Sequence, residues 1–469
     1  MKPSVHHQTL GTLFFDEVQA ASFAEHTLRF RNQHAATSVG LDTLSDDRWI
    51  EHMGRFEPFE GSLQKPLALR YHGHQFGHYN PAIGDGRGFL FAQFYDHKDR
   101  ILDLGTKGSG VTPWSRGGDG RLTLQGAVRE VLAAERLEAL GVPTSRALSV
   151  IETGEALMRG DEPSPARSAV LVRLSHSHIR IGTFQRLAFF REKQAMERLV
   201  EHCLTHYLPE TNAQGGAPAL LQACAARLAE LTAAWMVAGF VHGVLNTDNL
   251  NITGESFDYG PWRFVPTLDP ALVAAYFDHG GRYAFARQAD AVFWALQHLA
   301  GCLLQVGPEP ELRQALLTFS PAYESAFRRR MLVRMGLIPR SDEFDDLVVE
   351  LALSILQREQ VDYDAFFSDL RARDRGWAHC ESELSAEARQ ELDKQCKKYD
   401  RVELQAPQRP FQDLHDHHYR PIWTAIADDD DWGPFEQCVA SQRALGQHVA
   451  PLHRVAAQGA APNLTESLP

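Results

Sequence analysis

The sequence predicts an α+β fold of two lobes, a small sheet-containing lobe followed by a helical lobe. From about residue 66 to 175, short apolar runs at 88–94, 101–104 and 169–172 alternate with glycine-rich turns, a pattern typical of β-strands. After about residue 185, apolar residues recur at helical spacing at 220–239, 284–304 and 341–359. An irregular polar stretch at 240–262 interrupts the helices, and together these patterns favour a nucleotide held between two lobes.

One helix is predicted inside the sheet-containing lobe. Apolar residues recur at helical spacing from Leu124 to Leu140, and Gly141 and Pro143 follow at positions that end helices. We therefore divide the chain into an N-terminal extension at 1–59, an N-lobe at 60–172, a helical C-lobe at 173–440 and a flexible tail at 441–469. The tail is predicted from its richness in Ala, Gln and Pro.

The composition argues against several classes of protein. The 469 residues carry a formal net charge of -13, which argues against binding to nucleic acid or to anionic lipid. No segment approaches the roughly 20 apolar residues that a membrane span needs, and the N-terminus shows no secretory signal. The six cysteines form no CxxC pair, so we expect reduced thiols in a soluble cytoplasmic protein. Composition does not indicate an oligomeric state.

The segment 241–252 and the turn at 257–260 carry the strongest chemical signal. Asp248 and Asn249 are adjacent, and the Asp258-Tyr259-Gly260 turn follows nine residues after Asn249. Phosphoryl and nucleotidyl transfer need Mg²⁺ held by hard oxygen ligands and a carboxylate near the attacking hydroxyl. Asn and Asp also crowd ordinary loops because they satisfy turn backbones, but the upstream features favour the functional interpretation.

Those upstream features are a lysine, a glutamate and two glycine-rich stretches. Lys107 ends a strand-like run, and Glu130 lies on the predicted helix, where it could orient the lysine toward phosphate. Backbone amides and guanidinium groups in the stretches 84–88 and 116–121 suit phosphate oxygens. Arg173 and Arg180 could face the cleft, although structural salt bridges are an alternative for both.

Histidine clusters suggest a competing hypothesis, a metal-dependent hydrolase. The clusters are His72, His74 and His78; His176 and His178; and His415, His417 and His418. We disfavour this hypothesis because the chain has no HExxH motif and no acidic residue at ligand spacing from these histidines.

Six motifs, in order along the chain, resemble the selenoprotein O family, also called YdiU. They are Tyr71-His72-Gly73-His74-Gln75-Phe76-Gly77, Gly84-Asp85-Gly86-Arg87-Gly88, Lys107-Gly108-Ser109-Gly110 with Thr112-Pro113-Trp114-Ser115-Arg116, Gly118-Asp119-Gly120-Arg121, Val128-Arg129-Glu130, and His242-Gly243-Val244-Leu245-Asn246-Thr247-Asp248-Asn249. Two further stretches, at 257–261 and 278–285, extend the resemblance over about residues 66 to 305.

The resemblance implies a protein-kinase-like fold that binds ATP in a flipped orientation and transfers AMP to Ser, Thr or Tyr hydroxyls of proteins, releasing pyrophosphate. Asp248 would accept the hydroxyl proton, and Asn249 and Asp258 would bind Mg²⁺, or Mn²⁺ in its place. The residues expected to hold ATP, with Glu130 orienting Lys107, are Gly84, Gly86, Arg87, Lys107, Asp119, Gly120, Glu130, Arg173 and Arg180.

Some segments depart from the family pattern. Tyr79-Asn80-Pro81 replaces a Trp-Ala-Gly stretch, and 103–107 reads Asp-Leu-Gly-Thr-Lys in place of Asp-Leu-Gln-Leu-Lys. The C-terminal third lacks the expected Asn-Pro-Lys-Tyr-x-Leu-Arg-Asn stretch, and the chain ends without a terminal Cys or selenocysteine motif, so redox control is not carried over. Two alternatives stay open: a kinase that transfers the γ-phosphate, and a non-catalytic ATP-binding scaffold.

Overall fold

The structure is a computed structural model that describes residues 1–160, 162–340, 343–372, 383–407 and 411–458. A sheet-rich N-terminal region leads into a helical region that begins at Ile181. The predicted α+β fold of two lobes is therefore confirmed. Within the described residues, no helix is both long enough and apolar enough to cross a membrane.

The strands are short except for the four that form the centre of the sheet. They are β1 (Pro3–Ser4), β2 (Phe15–Glu17), β3 (Thr27–Arg31), β4 (Leu67–Leu69), β5 (Gly73–Gln75), β6 (His78–Asn80), β7 (Leu90–Tyr95), β8 (Ile101–Lys107), β9 (Leu122–Thr123), β10 (Arg146–Leu157), β11 (Ala166–Ser175), β12 (Phe240–Val241) and β13 (Arg263–Phe264).

The helices lie mostly after the sheet. They are α1 (Gln33–Ser38), α2 (Asp46–Met53), α3 (Leu124–Ala139), α4 (Ile181–Phe190), α5 (Lys193–His206), α6 (Gly216–Ala238), α7 (Gln288–Leu303), α8 (Glu309–Leu317), α9 (Phe319–Arg334), α10 (Glu343–Glu359), α11 (Tyr363–Ala372), α12 (Ala386–Cys396), α13 (Asp416–Asp429) and α14 (Gly433–Gln458). The sequence-predicted helices correspond to α3, α6, α7 and α10; residues 341–342 of the last prediction lie outside the described residues.

The main sheet is antiparallel and has the order β2-β4-β7-β8-β11-β10-β3, with β1 beside β7 and β9 beside β11. Side chains alternate between its two faces. On β11, Leu171 packs into the core that contains α3, whereas Val170 and Val172 pack against Trp49 and its neighbours. The α3 face is continuous with the core of the helical region, so one apolar core joins the two regions.

The N-terminal 59 residues, predicted to be an extension, form part of the main sheet. Strands β1, β2 and β3 belong to the sheet itself, and α2 covers the second face with the buried side chains of Trp49 and Met53. The sequence did not indicate these strands because each is only two to five residues long and shows no sustained alternation of apolar and polar residues.

The C-terminal segment also differs from the prediction of a flexible tail over 441–469. Residues 441–458 belong to α14, which packs on α3 and α9, and residues 459–469 lie outside the described residues. Leu445, Val449 and Leu452 are buried with Ala139 and Val333. This helix has an apolar stripe at three- and four-residue spacing, which the overall richness in Ala and Gln conceals.

The structure describes five of the six cysteines. Cys203, Cys224, Cys302, Cys396 and Cys438 are all buried, and Cys203, Cys224, Cys302 and Cys438 form no disulfide with one another. Cys380 lies outside the described residues.

Replacement of Leu445 by alanine tests whether α14 is an integral part of the fold. The substitution removes a buried side chain from the contact with α3, and we expect the free energy of unfolding to fall by about 2–4 kcal/mol, measured by urea denaturation. Gln447→Ala, an exposed position on the same helix, is the control and should change it by less than about 0.5 kcal/mol. Equal values for the two variants would show that this segment is not packed in solution.

Candidate active site

Strand alternation brings Lys107 and Arg173 to the face of the sheet that α3 covers. Strands β8 and β11 are paired with Leu171 opposite Lys107 and Arg173 opposite Gly105. Lys107 and Arg173 both lie an even number of residues from positions in the α3-side core, Ile101 and Leu171 respectively, and therefore share that face. Both are buried. Two cations consequently enter the interior from neighbouring strands.

Helix α3 supplies the carboxylate that meets Lys107. The helix begins after Thr123, whose hydroxyl accepts a hydrogen bond from Gly126 N at 3.1 Å, a usual N-cap. Two turns later, Glu130 Oε1 accepts a hydrogen bond from Lys107 Nζ. Glu130 Oε2 lies 3.6 Å from Arg173 Nη1. The pairing of Lys107 with Glu130 that the sequence predicts is therefore present.

Asp258 completes this cation–carboxylate cluster from the helical region. Its Oδ1 lies 2.6 Å from Lys107 Nζ and 3.4 Å from Arg173 Nη1. Its φ of 66° is in the left-handed region, which non-glycine residues seldom occupy outside functional or turn positions. Burial disfavours its charged form, but the cations of Lys107, Arg173 and Arg87 outweigh that cost and hold the pKa of Asp258 well below its usual range.

The loop that carries Asp248 is held by side-chain hydrogen bonds to the hairpin β5–β6. Asn246 Oδ1 accepts from Phe76 N at 3.0 Å, and Thr247 Oγ1 accepts from His74 N at 2.7 Å. The Thr247 hydroxyl also donates to Gln185 Oε1 on α4 at 2.6 Å. These contacts fix a single 3₁₀ turn, Thr247–Asn249, against two other elements.

Asp248 is buried at the end of this turn, beside Gly73. A methyl group at Gly73 would come within 2.6 Å of Asp248 Oδ1, so only glycine allows the hairpin to approach this closely. Among the described residues, Oδ1 has no hydrogen-bond partner. Burial raises the pKa of Asp248 to about 6, against the opposing effect of the Arg180 cation. A carboxylate with such a pKa is suited to accept a proton near neutral pH.

Arg180 links Asp248 to the glycine-rich stretch at 84–88. Arg180 Nη1 donates to the backbone oxygen of Asp248 at 3.1 Å, and Nη2 contacts Asp85 Oδ1 at 3.0 Å. The Asp85 Oδ2 atom accepts from Leu69 N at 3.1 Å. The arginine is buried and lies over the Tyr71 ring, so its charge is directed into the region between the sheet and the loop.

The glycine-rich residues border this region. Gly84 packs against Trp114, where an added methyl group would come within 2.5 Å of the indole, and Gly86 O accepts a hydrogen bond from the Ser115 hydroxyl. Gly120 has a φ of 67°, and its backbone oxygen accepts a hydrogen bond from Gly110 N at 3.2 Å. Both glycine-rich stretches are thus anchored to the segment after β8.

Arg87 and Asp119 occupy the exposed part of the region. Arg87 is exposed yet close enough to lower the pKa of Asp258. Asp119 forms an ion pair with Arg159, with Oδ2 at 2.8 Å from Nη1, and accepts from Arg121 N. The structure thus places Asp119 beside Arg159 and not in the cluster around Lys107. The contact of Asp119 with ATP stays a prediction.

Asn249 and Asp258 have the chemistry of a hard-metal site. Asn249 Nδ2 donates to Val244 O at 3.0 Å, an orientation that uses the amide donor and leaves the amide oxygen for a ligand. Asp258 is held as a carboxylate by its cationic neighbours. Oxygen ligands of this kind suit Mg²⁺ or Mn²⁺, so the residues fit the metal that the resemblance implies.

Several residues that support the site were not singled out from the sequence. Asp85 lies between Gly84 and Gly86, and this glycine-rich stretch is the sequence feature that could have indicated it as a site residue. Gln185, which also contacts His74 Nδ1 at 2.7 Å, and Tyr283, which donates to Asn246 Oδ1 at 2.8 Å, lie far along the chain from their partners. The predicted histidine clusters at 72–78 and 176–178 have structural contacts, such as His178 N with Asp103 Oδ2 at 2.9 Å.

Comparison with known proteins relates this geometry to a family. A family model described as "Protein adenylyltransferase SelO" matches residues 2–443. A "Protein nucleotidyltransferase YdiU" from Synechocystis sp. is 44% identical over 462 residues, covering 92% of this chain and 96% of the relative. Proteins of the same description from Gloeobacter violaceus (43% identity, 93% of each chain) and Trichormus variabilis (47%, with 77% of this chain and 75% of the relative) are also similar.

These matches extend well beyond residues 66 to 305, the range over which the motifs alone suggested a resemblance. The N-terminal strands of the sheet and most of the C-terminal helices lie within the matched range, so the whole two-lobed fold is shared and not only the cleft. The chain is a nucleotidyltransferase and belongs to the SelO family of protein adenylyltransferases.

Proposed function

We propose that the protein transfers AMP from ATP to Ser, Thr or Tyr hydroxyls of other proteins in a Mg²⁺-dependent reaction. The observation that carries the proposal is Asp248: a buried carboxylate with an unpartnered oxygen and a pKa of about 6, next to a cluster that suits a metal and a polyphosphate. The family description supports nucleotide transfer to protein. The acceptor residues and the metal are part of the proposal.

In the proposed reaction, Asp248 accepts the proton of the target hydroxyl as its oxygen attacks the α-phosphorus of ATP. A bond forms between that oxygen and the α-phosphorus, the bond from the α-phosphorus to the bridging β-oxygen breaks, and pyrophosphate leaves. AMP thereby becomes esterified to the protein. General-base assistance of this kind contributes about 10²–10⁴-fold to rate.

The cations of the cleft bind the phosphates. Lys107 on β8, Arg173 on β11 and Arg180 just before α4 are buried cations. Preorganised positive charge at a transferring phosphorus stabilises the transition state. Arg87 and the backbone amides around Gly84, Gly86 and Gly120 border the same region, where amides of glycine-rich loops suit phosphate oxygens. Lys107 is held in place by contacts with Glu130 and Asp258.

Asn249 and Asp258 would hold Mg²⁺, which, when bound, offsets the negative charge of the phosphates. Asp258 also contacts Lys107, so a bound Mg²⁺ would share this carboxylate with the lysine. Glu130 on α3 is the second carboxylate that holds Lys107. The protein's own contribution is thus to fix two oxygen ligands, the Asn249 amide and the Asp258 carboxylate, together with three cations.

Incubation with ATP labelled at either the α- or the γ-phosphate tests the reaction directly. We expect label from the α position, and not from the γ position, to become covalently attached to protein, and Asp248→Ala to lower this attachment by about 10²–10⁴-fold. Attachment of γ-label would identify a kinase. No attachment from either position with a mixture of protein substrates would favour an ATP-binding scaffold.

Two substitutions separate the roles of the loop and the metal site. Asp248→Ala should retain Mg²⁺-dependent ATP binding and lower transfer by about 10²–10⁴-fold. Asp258→Ala should weaken that binding as well, because it removes a metal ligand. Isothermal titration with ATP and Mg²⁺ measures the binding. If Asp258→Ala bound ATP as tightly as the unmodified protein, its assignment as a metal ligand would be wrong.

The raised pKa of Asp248 predicts an acid limb in the pH profile. Asp248 acts as a base only when ionised, so kcat/KM for AMP transfer should fall tenfold per pH unit below about pH 6. An ordinary carboxyl would place this limb near pH 4. ATP affinity measured over the same range is the control that separates loss of the base from loss of binding. A limb near pH 4 would contradict the environment assigned to Asp248.

A further inference from the structure

A second group of ligand-type side chains lies at the start of α11 and in the segment that leads into α13. It consists of Asp362, Asp413 and His415, whose ligand atoms all lie within 4.8 Å of one another. The His415 Nε2 and Asp362 Oδ2 atoms are 3.7 Å apart. In the part of the chain that the structure describes, this is the one group of three or more His, Cys, Asp or Glu residues so arranged.

His415 is the central observation. Its side chain is 3% exposed, and neither ring nitrogen has a hydrogen-bond partner among the described residues. The separation from Asp362 exceeds a hydrogen bond. A buried imidazole with two unpaired nitrogens is costly, and a bound ion is one of the few arrangements that would satisfy such a nitrogen. The ring is placed beside two carboxylates that could share that ion.

The carboxylates have ligand capacity to spare. Asp362 Oδ1 accepts from Ala365 N at 2.8 Å and caps α11, whereas Oδ2 faces His415. Two arginines, Arg136 and Arg334, contact the neighbouring Asp364 closely, and Arg136 reaches Asp413 only at 3.6 Å. Among the ion pairs of the described residues, Asp362 pairs only with His415, and Asp413 only with Arg136 at 3.6 Å. Neither carboxylate has a closely paired arginine, and a bound cation would offset their charge.

We propose that Asp362, Asp413 and His415 bind a divalent transition-metal ion, for which Zn²⁺ and Mn²⁺ are suitable probes. One imidazole nitrogen and two carboxylate oxygens form a donor set that these ions accept. Ligands at about 2.0–2.2 Å from one ion lie at most about 4.4 Å apart, so small side-chain movements close the observed spacing. The site contains no residue to which the transfer reaction is assigned.

An ion at this site would tie α11 to the start of α13. The ligands come from positions about 50 residues apart in the chain, and Arg136 of α3 already bridges the same region through Asp364 and Asp413. The ion would therefore stabilise the docking of the C-terminal helices, since a ligand that binds only the folded state raises its stability.

The test counts Zn²⁺ ions bound by the chelator-treated full-length protein, using isothermal titration, and measures the thermal midpoint with and without Zn²⁺. Asp362→Asn is the principal variant because Asn caps helices as well as Asp does, so the fold is preserved while the charged ligand is lost. We expect Asp362→Asn and Asp413→Asn each to bind one equivalent fewer than the unmodified protein, or to bind it at least tenfold more weakly, and to lose the Zn²⁺-dependent rise in midpoint.

His417→Ala is the matched control, because His417 is an exposed histidine on the same segment, and it should bind as the unmodified protein does. The proposal is overturned if both aspartate variants bind the same number of equivalents with the same affinity as the unmodified protein, or if His417→Ala alone removes the equivalent. Repeating the titration with Mn²⁺ shows whether the same equivalent is lost. Because the readout is metal binding, it is independent of AMP transfer.

Discussion

The contact of Lys107 with Glu130 and Asp258 is the interaction on which the active site depends. It joins strand β8, helix α3 and the irregular stretch 240–262 of the helical region, so it forms only when the two lobes are correctly placed. Removing one partner of a buried ion pair leaves an uncompensated charge and costs about 3–5 kcal/mol. The same contact keeps Asp258 ionised and holds a cation where phosphate is expected, which links folding of the cleft to its chemistry.

A second set of contacts gives Asp248 its different character. Asp258 is surrounded by cations and its pKa is lowered, whereas Asp248 lies against Gly73, is influenced mainly by burial, and has a pKa raised to about 6. Two carboxylates ten residues apart are thereby suited to different roles, metal ligand and proton acceptor. The hairpin β5–β6 and Gln185 hold the Asp248 loop, so this difference depends on contacts made by segments far apart in the chain.

Much of this arrangement could be predicted from the sequence because its signals are local. The strand pattern of β8, the helical spacing of α3 and the Asp248-Asn249 pair each lie within a short window. Contacts such as Gln185 with Thr247 or Arg180 with Asp85 join distant segments and leave no periodic trace. Residues 441–458 of α14 were predicted as part of a flexible tail, because the overall composition hides the apolar stripe of this helix. The sequence did show a histidine cluster at His415, but a metal site there was disfavoured for lack of an acidic residue at ligand spacing. The structure brings Asp413, two residues before it, and Asp362, 53 positions away, to that histidine.

The central claim is that the cleft places the α-phosphorus of ATP, and not the γ-phosphorus, beside Asp248. A crystal structure of the protein with Mg²⁺ and α,β-methylene ATP, which resists transfer at the α position, measures this directly. We expect the α-phosphorus to be the phosphorus nearest the Asp248 carboxylate, with Lys107 and Arg173 on the other phosphates and Mg²⁺ on Asn249 and Asp258. A γ-phosphorus nearest to Asp248 would contradict the account and indicate a kinase arrangement.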